Sequence, residues 1–193
     1  MGVKIIYPCY LGTRELAIRE VRNAKTPADL KGIKLRMPGS PDFLLMGRGL
    51  GVNPTPMAMA DVYLAMKTGT IDGQDNPVSI TRAAKLDEVT KEVILTHHMV
   101  QMIFYAASTK FWNGLSEAQQ KQITDAAVEA CEWNDKTRLA DEDVQLDYFK
   151  SEGIVITHPD IQAFKDHMWK VYEEENKLEE WNMSIVEKIR NVN

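Results

Sequence analysis

The spacing of apolar positions changes near residue 116, and the chain divides there into two styles. Before that point the runs are short. Residues 33–38, IKLRMP, alternate: Ile33 and Leu35 share one face, Lys34 and Arg36 the other, and Pro38 ends the strand. Residues 58–69 carry Val62, Ala65 and Met66 at helical spacing, closed by Gly69. Thr26, Pro27, Asp29 and Gly32 cap and stop a short helix over 26–32, and Pro41 and Gly51 bound another over 40–51. Residues 3–7 read as a first strand, 92–108 as one or two more, and Pro77 opens a helix. Strand and helix alternate, which predicts an α/β sheet.

After residue 116 the pattern lengthens. Ser116 and Gln119 form a capping box, and no proline or glycine follows until Gly153. A helix over 116–152 is predicted, roughly 55 Å long. That exceeds the width of a small domain, so it is expected to underlie more than one lobe. Its apolar stripe is read as Ile123, Ala127, Ala130 and Leu139. A strand over 153–159, an amphipathic helix over 159–177 and a weaker helix over 178–193 complete the chain.

Composition narrows the function. The 193 residues carry a net charge of -5 with no basic block, which argues against a nucleic-acid partner. No run of 18 apolar residues appears. The first residues lack the cleavage pattern of a signal peptide, and a strand so near residue 1 is expected of a chain that begins inside a fold. Cys9 and Cys131 are too few for a disulfide framework and too isolated for zinc, so both are expected free and partly buried.

The inventory for catalysis is thin: no catalytic residue, metal site or cofactor is expected. His97 and His98 are neighbours on a strand, face opposite sides and do not chelate one metal together. His158 reads as a turn residue. GRGLG, residues 47–51, lacks the spacing of a dinucleotide loop and follows a helix, so it reads as a helix terminus. Arg36 is more telling. It stands at the carboxyl end of its strand, where ligands of open α/β sheets bind, and offers a planar fork for a carboxylate. A solvent-exposed strand-end arginine is the plainer alternative. Asn76, before Pro77, either caps the next helix or reaches a ligand. GTR, residues 12–14, places Arg14 at a third strand end. Three polar residues at three strand ends describe a site for a small anion.

DLKGIKLRMP, NPTPMAMADVYLAMKTGTIDGQDNP and ITHPD, in that order, resemble the solute-binding proteins of TRAP transporters, the DctP-like family. The resemblance covers residues 10–172. It implies a two-lobed periplasmic clamp that closes on a carboxylate, with the lobes joined by crossing strands and one long helix. Arg36 would pair bidentately with the carboxylate, Arg14 would assist and Asn76 would contact the same group. Asp72 and Gln74 would hold the loop, while Asp75 faces solvent or the arginines. Met59 stands where the sialic-acid binders of the family carry an aromatic residue.

Family members extend roughly a hundred residues further at the amino end. The expected fold is therefore α/β: a periplasmic-binding-protein-like second lobe with a long bridging helix, the first lobe largely absent. Residues 1–101 would form the main part of that lobe, 102–141 the crossover strand and long helix, and 142–193 the return of the chain. The expected function is capture of a small organic carboxylate, a dicarboxylate or sialic-acid-like compound, for sodium-coupled uptake through TRAP membrane subunits. The alternative is an orphan domain with an incomplete site that only self-associates. The strand over 102–107 would be an open edge, and a homodimer through the surface left by the missing lobe is expected.

Overall fold

The computed structural model describes residues 2–191. The chain opens on β1 (Val3–Ile18), then builds β2 (Lys34–Met37), α1 (Pro41–Gly49), β3 (Asn53–Pro56), α2 (Val62–Thr68), β4 (Gly73–Pro77) and α3 (Val78–Ala83). β5 (Glu92–Ser108) and α4 (Thr109–Asn113) lead into α5 (Glu117–Ser151). β6 (Val155–Thr157), α6 (Ile161–Glu174) and α7 (Met183–Arg190) finish it. The tail helix expected over 178–193 is α7, preceded by a short 3-10 turn; residues 192–193 lie outside the described residues.

One mixed sheet organises the molecule, in the order β3-β2-β4-β1-β5-β6. β2 runs parallel to β3 and β4, and β6 parallel to β5, while β1 is antiparallel to both its neighbours. Its two faces carry separate cores, because successive side chains of a strand point to opposite sides. Leu16 and Ile18 of β1 join Leu35, Met37, Met46 and Phe164 on one face. Ala17, between them, joins Val93, Leu95 and Phe149 on the other. Each such large side chain contributes about 1.5–3 kcal/mol when removed from water. The outer strand β3 carries Pro54 and Pro56, which deny its open side to further pairing.

The expected first strand ended at residue 7, but β1 continues through Pro8 and Gly12 for 16 residues. Gly12 acts as a bulge residue rather than a stop. Its φ is 146°, and a Cβ there would lie 2.6 Å from Pro77. Arg14 therefore sits within a strand, not at its end. β5 is likewise a single strand, and its divisions at 101 and, in α5, at 141 fall inside unbroken elements. The segment over 102–107 is paired along one edge within the chain. Met102, Ile103 and Phe104 face Tyr10, Cys9 and Pro8 of β1 in antiparallel register. That edge was expected to stand open, but β1 supplies its partner.

Where Arg14 pairs with Met99 and Leu16 with Ile94, Glu15 alone stands opposite four residues of β5. The gap is filled by its carboxylate. Glu15 is buried, accepts the His97 backbone N–H at 2.9 Å and meets His97 Nδ1 at 2.6 Å. His97 itself has φ 47°, which a non-glycine residue adopts only under constraint.

The long helix is continuous and begins with the expected Ser116–Gln119 capping box. Its 35 residues rise about 52 Å. Its buried stripe is Ala127, Cys131, Gln145 and Phe149; of the expected stripe Ala127 is buried and Ile123 half-buried, whereas Ala130 and Leu139 face outward. The glycines of GRGLG serve packing: a Cβ on Gly47 would meet Pro54 at 2.8 Å, and one on Gly49 would meet Met168 at 2.9 Å. Gly51, at φ 82°, approaches the Pro27 carbonyl too closely for any side chain.

Two outcomes follow for the frame. Ala130→Pro, on the exposed side of α5, should cost about 3 kcal/mol or more through the backbone alone; an unchanged urea midpoint would show that α5 is not one cooperative helix. The His97 ring should titrate above its ordinary value of about 6.5, because the Glu15 hydrogen bond favours its charged form. A raised folded-state value means that this contribution is complete below about pH 6.5 and fades as pH rises through the folded value. Glu15→Gln should return the ring toward the ordinary value by NMR titration, and no movement would refute the assignment.

Candidate functional site

Three adjacent strands bring the expected residues together. Arg36 of β2 lies in register with Gln74 of β4, and β4 in turn sets Asn76 against Glu15 and Pro77 against Arg14 of β1. All of β4 is buried. The polar run DGQDNP is therefore no surface turn, and its groups find partners inside with one exception among the described residues, Asp75 Oδ1.

Asp72 holds the entry to β4. Its carboxylate accepts the Lys34 N–H at 2.8 Å. Gln74 donates to Thr81 Oγ1 at 3.1 Å and accepts from Asn76 Nδ2. Asp75 was open to two readings, solvent or the arginines, and the structure gives the second. Its side chain is 0% exposed and receives Arg14 Nε at 2.7 Å. Arg14 Nη2 donates to the Asp75 carbonyl, and His98 Nε2 lies 3.4 Å from the same carboxylate oxygen. Burial pushes the Asp75 carboxyl up, but hydrogen bonds from His98 and Arg14, with their charge, outweigh it and hold the group below the usual range.

Arg14 is thus largely committed to the protein. Nη1 donates to Gln101, and the guanidinium stands 5.1 Å over the Phe43 ring of α1. Arg36 differs. It is buried, and Nε donates to the Met57 carbonyl at 2.8 Å, but its Nη groups make no hydrogen bond among the described residues. Burial lowers its pKa and the charge of Arg14 adds to that, with Asp75 opposing. A guanidinium stays charged regardless. The charges of Arg36, Arg14 and Asp75 thus act on one another.

Asn76 makes no capping hydrogen bond to α3. Its Nδ2 instead lies 3.8 Å from the Met59 thioether, which places Met59 beside the same group. All four expected residues, Arg14, Arg36, Met59 and Asn76, therefore occupy one neighbourhood. His98, Gln101 and Phe43 belong to it as well and were not anticipated. His98 is fixed by Thr96 Oγ1 at 2.7 Å, so its ring is oriented toward Asp75. No sequence signal marks these three, since each depends on register across strands or on a helix docking from elsewhere.

A cavity of about 190 Å³ opens between α5 and the sheet. Glu15, Glu142 and Asp143 line it, so its charge is wrong for an anion. Among the described residues, no group of three histidine, cysteine or acidic side chains is set to hold a metal, and no helix is long and apolar enough to cross a membrane.

The chain is similar to known proteins over nearly its whole length. The family model for bacterial extracellular solute-binding protein, family 7 (DctP), matches residues 2–178. A sialic acid-binding periplasmic protein of Vibrio cholerae is 36% identical over 167 residues, 86% of this chain and 51% of that protein. A TRAP periplasmic solute-binding protein of Roseobacter denitrificans, solved with bound 3-deoxy-D-manno-oct-2-ulosonic acid, is 38% identical with a TM-score of 0.93, covering 97% of this chain and 63% of that one. Another, from Actinobacillus succinogenes with bound L-galactonate, is 36% identical with a TM-score of 0.79, covering 86% and 55%. The chain spans about half the length of the curated relatives it matches. These matches correct the expected limits of the resemblance. The family pattern is not confined to residues 10–172, and the α/β fold is followed almost from end to end. The description as a second lobe with its first lobe largely absent is set aside, and with it the homodimer that such an absence was to create. The chain belongs to the DctP family of bacterial extracellular solute-binding proteins.

Proposed function

We propose that this chain captures a small polyhydroxylated carboxylic acid in the periplasm and delivers it to the membrane subunits of a TRAP transporter for sodium-coupled uptake. It binds and releases its ligand unchanged. The observation that carries the reading is Arg36: a buried guanidinium at the carboxyl end of β2 whose Nη groups are free of partners among the described residues. A buried cation in that condition favours an anion with two acceptor oxygens in one plane. Asn76 Nδ2 donates to Gln74 and offers its other hydrogen only to the Met59 thioether, and Arg14, braced by Asp75 and Phe43, adds charge. Relatives solved with 3-deoxy-D-manno-oct-2-ulosonic acid, L-galactonate and D-glucuronate support an acid of the sugar series.

Arg36→Ala should weaken binding of a hexonate or hexuronate by about 30-fold to several thousand-fold, the effect of removing one partner of a buried charge pair. Lysine should restore little, because it lacks the planar fork. Calorimetry against a panel of sugar acids decides, and wild-type affinity in Arg36→Ala would sink the assignment.

The Asp75 pair sets the acid limit of the site. A carboxyl lowered in the folded state stabilises fully above its unfolded value, about 3.9, and that stabilisation is lost as pH falls through the folded value. Melting temperature should hold down to about pH 4 and decline below it. Asp75→Asn leaves Arg14 buried without its counter-charge, which should cost about 3–5 kcal/mol. Parallel pH–melting curves for the two proteins would contradict this.

A further inference from the structure

We propose that Cys9 and Cys131 form an intramolecular disulfide that staples β1 to the middle of α5. The two residues are 122 apart in sequence and were expected to be isolated. In the folded chain both are free and buried, and Cys131 is among the groups that act on the Cys9 thiol. The neighbouring backbone ties β1 to α5 from both sides. Tyr10 N–H donates to Asp135 Oδ1 at 2.7 Å, and Asn134 Nδ2 donates to the Tyr10 carbonyl at 2.8 Å. Cys131 and Asp135 are one turn apart on the same helix face. Strand residues 9–10 are thus clamped to a single turn of α5, and both cysteines are buried at that junction.

The chemistry needs an external disulfide as oxidant, either a small one such as oxidised glutathione or that of a protein thiol oxidase. One cysteine thiolate attacks it, forming a mixed disulfide and releasing one external thiol. The second cysteine thiolate then attacks the protein sulfur of that mixed disulfide and releases the other. The two protein thiols lose two electrons and two protons; the external disulfide becomes two thiols. In the finished fold the step is slow. Burial first, then the hydrogen bond and charge of Cys131 and the nearby Asp135, push the Cys9 thiol up to about 12, so little thiolate exists to attack. Oxidation therefore belongs to folding, before α5 closes over β1. The setting rests on the periplasmic reading above, since disulfides persist in oxidising compartments. The cross-link itself is a property of the chain and is tested without that reading.

The purified chain, reduced and unfolded, is refolded in oxidised and reduced glutathione and, in parallel, in excess dithiothreitol. The glutathione product is expected to have no titratable thiol, a mass lower by two hydrogens and a Cys9–Cys131 cross-linked peptide on non-reducing digestion. Its melting temperature should exceed that of the reduced form by at least about 5 °C, since the bridge closes a very long loop. Cys131→Ser should lose both the cross-link and the gain. Two free thiols after oxidative refolding, or only glutathione adducts and intermolecular disulfides, would overturn the proposal, and the wild-type thiol count decides this even where a variant fails to fold. A cross-link that brings no rise in melting temperature would overturn the stapling role. Sugar-acid titrations of both forms keep the two readings apart: absence of binding in both bears on the ligand assignment and leaves the cross-link result standing.

Discussion

A carboxylate sealed between an arginine and a histidine determines how the central strands meet. Asp75 has no access to water and its Oδ1 has no partner, so its charge is tolerable only while Arg14 and His98 hold Oδ2. Removing an ionised group from water costs several kcal/mol even after the protein relaxes. That penalty makes the pairing selective: a slip of β4 against β1 by one residue would turn Asp75 to the opposite face and leave both charges buried alone. The register that aligns Asn76 with Glu15 is thus enforced by electrostatics as well as by apolar packing.

The same interaction divides labour between the two arginines. Arg14 spends its fork on Asp75 and Gln101 and lays its plane over Phe43, which leaves it rigid. Arg36 is held by one hydrogen bond, at Nε, and keeps the rest of its guanidinium. A cation held at several points beside one held at a single point is a partly preorganised arrangement. Glu15 performs the corresponding service for the backbone, closing the gap in the β1–β5 ladder that a four-residue excursion would otherwise leave open.

Much of this was legible in the residues, and the parts that were not share a cause. Ser116 with Gln119 marked the start of α5, and the absence of glycine and proline marked its length, because caps and breakers are local chemistry. Arg36 at the end of an alternating strand followed from period alone. Gly12 misled, since a glycine inside a strand and a glycine that ends one look alike until the partner strand is known. Asp75 was ambiguous for a related reason: its partner lies 61 positions away, and only the β4–β1 register reveals it. The outward turn of Ala130 and Leu139 shows the limit of a weak stripe. On a helix rich in charge, the buried face is set by what it docks against, here Tyr10, Arg82 and the core around Phe149.

The contact between Asn76 and Met59 has a consequence for the order in which partners change. A thioether sulfur is a feeble acceptor, and at 3.8 Å it holds the amide hydrogen with little energy. An oxygen anion arriving there evicts almost nothing. A carbonyl or hydroxyl in the same place would have to be broken from the amide first, and its loss would cancel much of the new bond. Sulfur holds that hydrogen only weakly, so a harder base would displace it at little cost.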